Sequence, residues 1–224
     1  MGKIEDVVVI GAGPAGLAAA LQLVREGIFP LVLEKNKTGG LLSNANLVEN
    51  YPGFPGGIPG LELADLFLRQ AEAVGVKITS GQVKQLTADG KNYLLETDER
   101  QILSQKVIIA SGTRAKQLDP DKIHPDAREL VFTEVVKLRG KKNQEFAVLG
   151  AGDAALDYAI HLAGSNYVHL LTRTDRIRGL GLLYNRVRKN KNIKVHHFCN
   201  LVKVNPGDPG GLQLDILRRE DLEQ

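Results

Sequence analysis

Two glycine-rich segments, each between an apolar run and an alanine- and leucine-rich run, constrain the fold of this chain most. The first, GAGPAG at residues 11–16, follows Val7–Ile10, and the second, GAGDAA at residues 150–155, follows Phe146–Leu149. A continuous apolar run of this kind is typical of a parallel strand buried on both faces. The sequence therefore predicts an α/β protein with two strand–loop–helix units of the Rossmann type.

The glycine spacing has a physical meaning in such a unit. The first glycine permits a tight turn, and the second lets the backbone approach a pyrophosphate. The third position, Gly16 or Ala155, must be small so that helix and strand can pack. The pyrophosphate meets free N–H groups at a helix N-terminus. A turn without a ligand remains the alternative for each loop, but two loops in register predict two dinucleotides and electron transfer between them.

An acidic residue follows the first loop at the distance expected for a ribose ligand. Leu31–Leu33 reads as the second strand and ends at Glu34, about 20 residues beyond the loop. There its carboxylate can accept hydrogen bonds from the adenosine ribose hydroxyls. A solvent-facing strand end is the alternative for Glu34.

Composition excludes several classes of protein. The chain has 224 residues, 43% of them hydrophobic, and a formal net charge of +3 from 29 basic and 26 acidic side chains. That balance argues against a nucleic-acid-binding protein. Cys199 is the single cysteine, so no internal disulfide is expected and a reducing, cytoplasmic compartment is predicted. No apolar run approaches the length of a membrane span, so no membrane partner is expected.

The remaining elements follow from periodicity and turn residues. Helices are predicted over residues 17–25, 61–74 and 177–188. Strands are predicted over residues 76–78, 82–86, 93–97, 101–103, 107–110, 167–171 and 194–198, with a hairpin of residues 201–204 and 212–217 around a Pro-Gly-rich turn. A domain boundary is expected between Thr113 and Gln144, a polar stretch that precedes a new strand.

An ordered set of motifs resembles the thioredoxin-reductase-like flavoproteins of the pyridine-nucleotide-disulfide oxidoreductase group. The motifs are GAGPAG at Gly11, GGLL at Gly39, VENYPGFP at Val48, IASGT at Ile109, GAGDAALDYA at Gly150 and HLLTRTDRIR at His169. The resemblance implies an FAD domain followed by an NAD(P)H domain, both Rossmann-like. We expect the FAD-binding domain, in its N-terminal portion, at residues 1–114 and the NAD(P)H-binding domain at residues 115–224.

The resemblance also implies the cofactor-binding residues. For FAD they are Gly11, Gly13, Pro14, Ala15, Gly16, Glu34, Lys35, Gly39, Gly40, Leu41, Asn50, Val83, Ala110, Ser111 and Gly112. For the nicotinamide nucleotide they are Gly150, Gly152, Asp153, Ala154, Ala155, Arg173 and Arg178. No catalytic side chain is assigned, because the cofactors carry the hydride chemistry.

Two departures from the family pattern change the expected activity. Thioredoxin reductases carry a Cys-x-x-Cys pair just before the second glycine loop, whereas Val131–Lys137 contains no cysteine. A dithiol relay needs two thiols, so the chain is more similar to the ferredoxin–NADP reductases. In the family, the chain returns after the NAD(P)H domain to complete the FAD domain, and this later segment carries a Gly-Asp pair. The sequence up to Gln224 does not include such a segment. We therefore expect an FAD domain without its C-terminal part and an NAD(P)H domain without its last strand. Three explanations of this short chain stay open: an expression fragment, one half of a split protein, and a descendant that has lost part of its cofactor site.

Basic side chains after the strand of residues 167–171 bear on the choice of nucleotide. Arg173 and Arg178 match the family positions that hold an adenosine 2′-phosphate, and guanidinium suits phosphate. Thr172 and Thr174 replace basic residues usual in NADPH-preferring members, so NADP(H) is favoured only modestly over NAD(H). The basic residues beyond Arg178 read as a solvated helix face.

Two neighbouring histidines and the lone cysteine read as structural. His196 and His197 point to opposite faces of a strand, so no metal site is expected. Cys199 reads as a small, partly buried strand residue.

The function predicted from these features is an FAD-dependent NAD(P)H oxidoreductase without a redox-active disulfide. The electron acceptor would be a small molecule or a protein such as a ferredoxin, and a homodimer is expected. Two alternatives stay open, a nucleotide-binding or regulatory module without turnover and one half of a split flavoprotein reductase.

Overall fold

A computed structural model describes residues 3–208 and 210–218 of the chain. It divides into two compact units, Met1–Arg114 and Ala115–Gln224. Each unit combines parallel strands with helices, so the predicted α/β class is confirmed. The assignment of one dinucleotide to each unit stays a prediction.

The first unit contains two α-helices and six strands. In chain order the elements are β1 (Ile4–Ile10), α1 (Pro14–Arg25), β2 (Leu31–Glu34), a 3-10 helix (Gly40–Asn44), α2 (Gly60–Ala73), β3 (Ile78–Ser80), β4 (Val83–Asp89), β5 (Asn92–Thr97) and β6 (Gln101–Ile109). They form one sheet in the order β3-β2-β1-β6-β5-β4. Strands β3, β2, β1 and β6 are parallel, and β5 and β4 are antiparallel.

The apolar run of β1 is continuous because both faces of the sheet are covered. Val9 and Val32 belong to a buried cluster with residues of α1 and α2. Val8, the neighbour that points the other way, belongs to a second cluster with Leu95 and Ile102. Side chains buried on both sides explain why β1 shows no alternation of polar and apolar residues.

The second unit repeats the strand–loop–helix order. Its regular elements are β7 (Glu145–Leu149), α3 (Asp153–Ala163), β8 (Tyr167–Leu171), α4 (Gly181–Lys189), β9 (Ile193–His196), β10 (Cys199–Gly207) and β11 (Gly211–Arg218), preceded by 3-10 helices at Pro120–Lys122, Pro125–Leu130 and Val135–Leu138. Strands β7, β8 and β9 form a parallel sheet, and β10 and β11 form an antiparallel pair. The predicted hairpin is confirmed; Pro209 of its turn lies outside the described residues.

The core of the second unit lies between its parallel sheet and its helices. Leu156, Val168, Leu170 and Val187 are fully buried there. Val135, from the segment where thioredoxin reductases carry a dithiol, is buried in the same cluster. This segment therefore contributes apolar packing to the unit.

The prediction of two separate strands at residues 101–103 and 107–110 is wrong. Gln101–Ile109 forms one strand, which pairs with β1 along its length and with β5 over its first half. The polar residues between the predicted strands continue the ladder. Ser104 is buried there, and its hydroxyl donates to the carbonyl oxygen of Lys106 at 2.7 Å and lies 3.3 Å from that of Glu5. The strand predicted at residues 76–78 instead spans Ile78–Ser80. The N–H of Val76 donates to the carbonyl oxygen of Ala71, which holds Val76 at the end of α2.

The helix predicted over residues 177–188 begins four residues later than expected. The N–H groups of Arg178 and Gly179 both donate to the carbonyl oxygen of Ala151, at 2.8 and 2.9 Å. The N–H of Leu180 donates to the Asp153 carboxylate at 2.7 Å. These bonds hold the segment as a loop on the second glycine segment, so α4 begins only at Gly181.

In the part of the chain that the structure describes, no helix is long and apolar enough to cross a membrane.

Candidate nucleotide-binding sites

The first glycine loop connects β1 to α1 and is closed by backbone hydrogen bonds. The N–H of Gly11 donates to the carbonyl oxygen of Leu33 at 2.8 Å, and Gly11 has a φ of +102°. A Cβ at Gly11 would collide with the carbonyl oxygen of Ala110, and one at Gly16 would collide with that of Gly11. The fold itself thus requires glycine at both positions.

Gly13 is different, because nothing in the fold requires it to be glycine. Its φ of −76° and ψ of −178° are ordinary extended values. A Cβ built on Gly13 would have no heavy atom within 4 Å. Within the described ranges, no side chain caps the N-terminus of α1, which begins at Pro14. Open space beside uncapped N–H groups fits a pyrophosphate.

The Glu34 carboxylate is held beside this loop. One oxygen accepts from the N–H of Ala12 at 2.8 Å, and the other accepts from the N–H of Asn36 at 2.9 Å. Each carboxylate oxygen has two lone pairs, so both oxygens can still accept from a ribose. Lys35 follows at an exposed position.

The segment at Gly39 lies against the first glycine loop. The N–H of Gly39 donates to the carbonyl oxygen of Ala12 at 2.9 Å. A Cβ at Gly40 would lie 3.5 Å from the Cα of Gly13. Leu41 is 44% exposed. The structure therefore brings Gly39 and Gly40 to the loop, and the contact of all three predicted residues with a flavin stays a prediction.

The end of β6 reaches the same loop. The N–H of Ala110 donates to the carbonyl oxygen of Ile10 at 2.9 Å. A Cβ at Gly11 would lie 3.3 Å from the Cα of Ser111. Gly112 is the next exposed residue.

Among the described residues, neither Asn50 nor Val83 has a hydrogen bond to the first glycine loop. Asn50 is exposed in the loop that follows Val48. Val83 starts β4, with its side chain partly buried against the second core cluster. The N–H of Gly81, two residues earlier, donates to the carbonyl oxygen of Glu34 at 3.0 Å, so Val83 follows the strand end that carries the predicted ribose ligand. Cofactor contacts by Asn50 and Val83 stay predictions.

The second glycine loop has the same design. The N–H of Gly150 donates to the carbonyl oxygen of Leu171 at 3.0 Å, and Gly150 has a φ of +138°. A Cβ on Gly150 would lie 3.1 Å from that of Ala155, so a larger side chain than alanine at residue 155 would crowd the turn. Gly152 has an extended backbone, with φ −99° and ψ 177°, and a Cβ there would have no heavy atom within 4 Å. The open position again precedes a helix N-terminus that no described side chain caps.

Asp153 and Gly179 join the loop after β8 to this second glycine loop. The Asp153 carboxylate accepts from Leu180, so its side chain positions the β8–α4 loop. A Cβ on Gly179 would lie 3.0 Å from the N of Asp153 and 2.6 Å from Cδ1 of Leu156. Gly179 is a residue that the sequence analysis missed; the signal was a glycine directly after a basic run. Ala154 is exposed in the first turn of α3.

A cavity of about 750 Å³ in the second unit brings Gly150 of the predicted loop together with Arg173 and Arg178, whereas Gly152, Asp153, Ala154 and Ala155 are not among its lining residues. Its lining residues are Leu118, Lys122, Leu149, Gly150, Ala151, Leu171, Arg173, Thr174, Arg176, Arg178, Cys199, Asn200 and Leu201. The volume is in the range of small-molecule sites. Lys122 and Arg176 line it although the sequence analysis did not assign them to the site. Cys199 is 4% exposed, and its thiol donates to the carbonyl oxygen of His197.

The two neighbouring histidines make different contacts. Nδ1 of His197 lies 2.9 Å from the hydroxyl of Thr172, which donates to the carbonyl oxygen of Thr174 at 2.7 Å. Nε2 of His196 lies 2.9 Å from Nδ1 of His169, whose Nε2 lies 2.6 Å from the Glu145 carboxylate. The described part of the chain contains no group of three or more His, Cys, Asp or Glu residues able to hold a metal.

The stability of the protein is expected to fall as the pH drops below about 6.5. Burial, followed by the charges of His169, Lys194 and Arg218, lowers the pKa of His196 below its ordinary value of 6.5. The unfolded chain then binds more protons than the folded chain at acidic pH, so the free energy of unfolding decreases as the pH falls through this range. His161 acts in the same direction, because burial and then Arg139 lower its pKa.

Urea unfolding at pH 7.5 and at pH 5.5 checks this prediction. Between pH 7.5 and pH 5.5, the free energy of unfolding should decrease less in His196→Gln than in the wild type. The decrease that remains in the variant includes the contribution of His161. An equal loss in both proteins would show that His196 does not contribute. His124→Gln is the matched control, because His124 is a half-exposed histidine whose Nδ1 accepts from the N–H of Asp126.

The chain matches the family model described as pyridine nucleotide-disulphide oxidoreductase over residues 5–221. It therefore belongs to this family, and within the family it is thioredoxin-reductase-like, which confirms the resemblance found in the motifs. It is 34% identical over 226 residues to NADPH-dependent thioredoxin reductase 3 of Arabidopsis thaliana, covering 97% of this chain and 43% of that protein. It is 32% identical over 194 residues to the thioredoxin reductase of Bacillus subtilis, covering 85% of this chain and 61% of that protein.

A solved structure supports the same fold. The structure of Lactococcus lactis thioredoxin reductase matches with a TM-score of 0.82 and 26% identity, covering 95% of this chain and 74% of that one. This chain thus spans roughly half of the length of the curated relatives, 43% of the Arabidopsis thaliana protein and 61% of the Bacillus subtilis protein.

Proposed function

We propose that this protein is an FAD-dependent NAD(P)H oxidoreductase that passes electrons to an external acceptor without a redox-active disulfide of its own. One observation carries the proposal. Gly13 and Gly152 are glycines that the fold does not need, and each opens a space beside an uncapped helix N-terminus. A ligand that approaches the backbone closely explains glycine at both positions.

The first unit supplies the groups that FAD would need. Its loop at Gly13 would receive the pyrophosphate, and Glu34 would accept from the ribose hydroxyls. The carboxylate is already oriented by the N–H of Ala12, so little ordering is needed when the ribose binds. The backbone of Gly39 is held at the loop by its N–H on the carbonyl oxygen of Ala12, and Gly40 lies beside Gly13, where a cofactor would pass.

The second unit supplies the groups that a nicotinamide nucleotide would need. Gly150, Gly152 and Ala155 would receive its pyrophosphate. Arg173 and Arg178 would meet the adenosine side, and NADP(H) is favoured because both are cations that line the same cavity. When bound, the nicotinamide nucleotide supplies a hydride and the flavin accepts it; the protein binds and orients both.

The segment before the second glycine loop argues against disulfide chemistry through a Cys-x-x-Cys pair at that position. Val131–Lys137 has no cysteine, and Val135 packs into the core. Cys199 is buried in β10, and one thiol cannot form an internal disulfide. We infer that electrons leave the flavin for a small molecule or for a ferredoxin-like protein. A cytoplasmic homodimer is the form we propose.

Flavin loading and turnover test the proposal. The purified chain is incubated with FAD, desalted and examined for bound flavin absorbance; NADPH oxidation is then followed with ferricyanide as acceptor. We expect stoichiometric FAD and turnover, and no reduction of thioredoxin. A colourless protein that FAD does not reconstitute would contradict the flavin assignment. Bound FAD without ferricyanide turnover would favour a nucleotide-binding module, and reduction of thioredoxin would contradict the absence of disulfide chemistry.

Glu34→Ala is expected to weaken FAD binding at least about tenfold. The change removes a charged acceptor for the ribose, and a hydrogen bond to a charged group contributes roughly 1.5–3 kcal/mol. It also leaves the N–H of Ala12 without its acceptor, which should lower the free energy of unfolding by about 1 kcal/mol without unfolding the protein. Fluorescence titration of FAD and circular dichroism melting measure the two effects.

Glu34→Gln and Glu72→Ala are the comparisons for this change. Glutamine keeps one acceptor oxygen and should show an intermediate loss of FAD affinity. Glu72 is an exposed acid on α2, and its removal should change nothing. Unchanged FAD affinity in Glu34→Ala would reduce Glu34 to a residue that only orders the loop.

A further inference from the structure

Four cations from two separate segments line the cavity of the second unit. Arg173, Arg176 and Arg178 come from the β8–α4 loop, and Lys122 comes from the 3-10 helix Pro120–Lys122. None of the residues that line this cavity is acidic. A cavity lined by several cations and by no acid favours an anion with more than one negative charge.

The arginine side chains are available to such an anion. Across residues 3–208 and 210–218, no carboxylate lies within salt-bridge distance of Arg173, Arg176 or Arg178. The Lys122 ammonium donates to the carbonyl oxygen of Leu201 at 3.2 Å. An ammonium has three donors, so two remain.

The loop that carries the arginines is fixed before any ligand binds. Its start is held by the buried Thr172 hydroxyl, which donates to the carbonyl oxygen of Thr174 at 2.7 Å. Its end is held by the N–H groups of Arg178 and Gly179 on the carbonyl oxygen of Ala151. Arg176 lies between these two fixed points, so its backbone position costs little ordering on binding.

We propose that Arg176 and Lys122 complete a four-cation site for the 2′-phosphate of NADP(H), together with Arg173 and Arg178. The inference rests on the proposed function and assigns nucleotide selectivity to two further side chains. Thr174 lines the same cavity, and its side chain has no charge to give to a phosphate. Arg176 and Lys122 supply positive charge from other residues of the same lining. The protein is therefore NADP(H)-selective rather than only modestly biased towards it.

A pair of adenosine nucleotides that differ only in the 2′-phosphate tests this directly. Calorimetry compares adenosine 2′,5′-bisphosphate with adenosine 5′-monophosphate on the full chain, and neither probe needs bound flavin. The variants are Arg176→Ala, Lys122→Ala and their double, with Arg176→Lys as the charge-preserving change. Arg188→Ala is the matched control, because Arg188 is an exposed arginine on α4 outside the cavity.

We expect the wild type to bind the bisphosphate more tightly than the monophosphate. Each single alanine variant should weaken the bisphosphate about three- to tenfold and leave the monophosphate unchanged. The double variant should lose more, Arg176→Lys should recover part, and Arg188→Ala should match the wild type. Wild-type affinity for the bisphosphate in both alanine variants, or an equal loss for the two nucleotides, would overturn the inference.

The inference and the proposed function can fail separately. A wild type that binds both nucleotides equally, yet loads FAD and oxidises NADH with ferricyanide, would overturn the four-cation site and uphold the oxidoreductase. A wild type that prefers the bisphosphate but never binds FAD would uphold the four-cation site and overturn the oxidoreductase.

Discussion

Gly13→Val should abolish FAD binding and leave the protein folded, with its affinity for NADPH unchanged. The backbone at Gly13 is extended, and an added Cβ meets no heavy atom within 4 Å apart from its chain neighbours, so we expect the protein to fold with a side chain there. The valine instead occupies the space into which the pyrophosphate would descend. Overpacking of this kind costs about 1–3 kcal/mol or more, and loss of the helix N-terminal contacts adds to it, so FAD affinity should fall by a factor of about 100 or more.

Gly152→Val is the matched control for this prediction. Its backbone is also extended and its added Cβ is also free of neighbours. It should abolish NADPH binding and leave FAD bound, the opposite of Gly13→Val. Thermal melting shows whether each variant is folded, and desalted flavin content and NADPH titration give the two affinities. A Gly13→Val protein that keeps stoichiometric FAD would show that the first loop does not hold the cofactor.

Replacing Arg173 and Arg178 together with alanine should raise the KM for NADPH about a hundredfold and leave the KM for NADH nearly unchanged. A 2′-phosphate carries negative charge that NADH lacks, and each charged hydrogen bond is worth roughly 1.5–3 kcal/mol. The loop should keep its shape, because Arg178 holds it through its backbone N–H and not through its side chain. Steady-state NADPH and NADH oxidation with ferricyanide measures both values.

Two results would contradict the role of these arginines. An equal rise of KM for both nucleotides would place Arg173 and Arg178 at the pyrophosphate or in the fold. No rise for either would make the basic loop a solvated surface. Arg188→Ala should leave both KM values at the wild-type level.

Local sequence predicted the first strand, the loops and the helix that follows each loop, because these features depend on neighbouring residues. The apolar run at Val7 and the run at Phe146 both become parallel strands. Val7, Val8 and Val9 are buried, as expected for a strand covered on two faces. In β7 the burial alternates instead, and Ala147 and Leu149 are exposed, so burial on both faces was a wrong expectation for this strand. Tyr167–Leu171 is a strand with the bounds that were predicted.

Contacts between distant residues account for the errors. Ser104 and its polar neighbours read as a break between two strands, but Ser104 is buried beside the carbonyl oxygen of Glu5, 99 positions away, which local sequence cannot reveal. Residues 177–180 were predicted as the start of a helix, but the N–H groups of residues 178–180 donate to Ala151 and Asp153, more than 20 positions away. Lys122 is 51 positions from Arg173 in the sequence and lines the same cavity, so no spacing rule could have assigned it.

The sequence by itself determined the two strand–loop–helix units, the acid at the end of β2 and the absence of a dithiol before the second loop. Those features depend on residue type and spacing along a short stretch of chain. The tertiary structure decided which glycines serve the fold and which leave room for a ligand, because that distinction depends on atoms from other segments. Gly11 and Gly16 must lack a Cβ because backbone carbonyls crowd them, whereas Gly13 and Gly152 face open space. Glycines of the same sequence motif therefore meet two different physical requirements, close packing in the fold and access for a ligand. Only the three-dimensional structure shows which glycine meets which requirement.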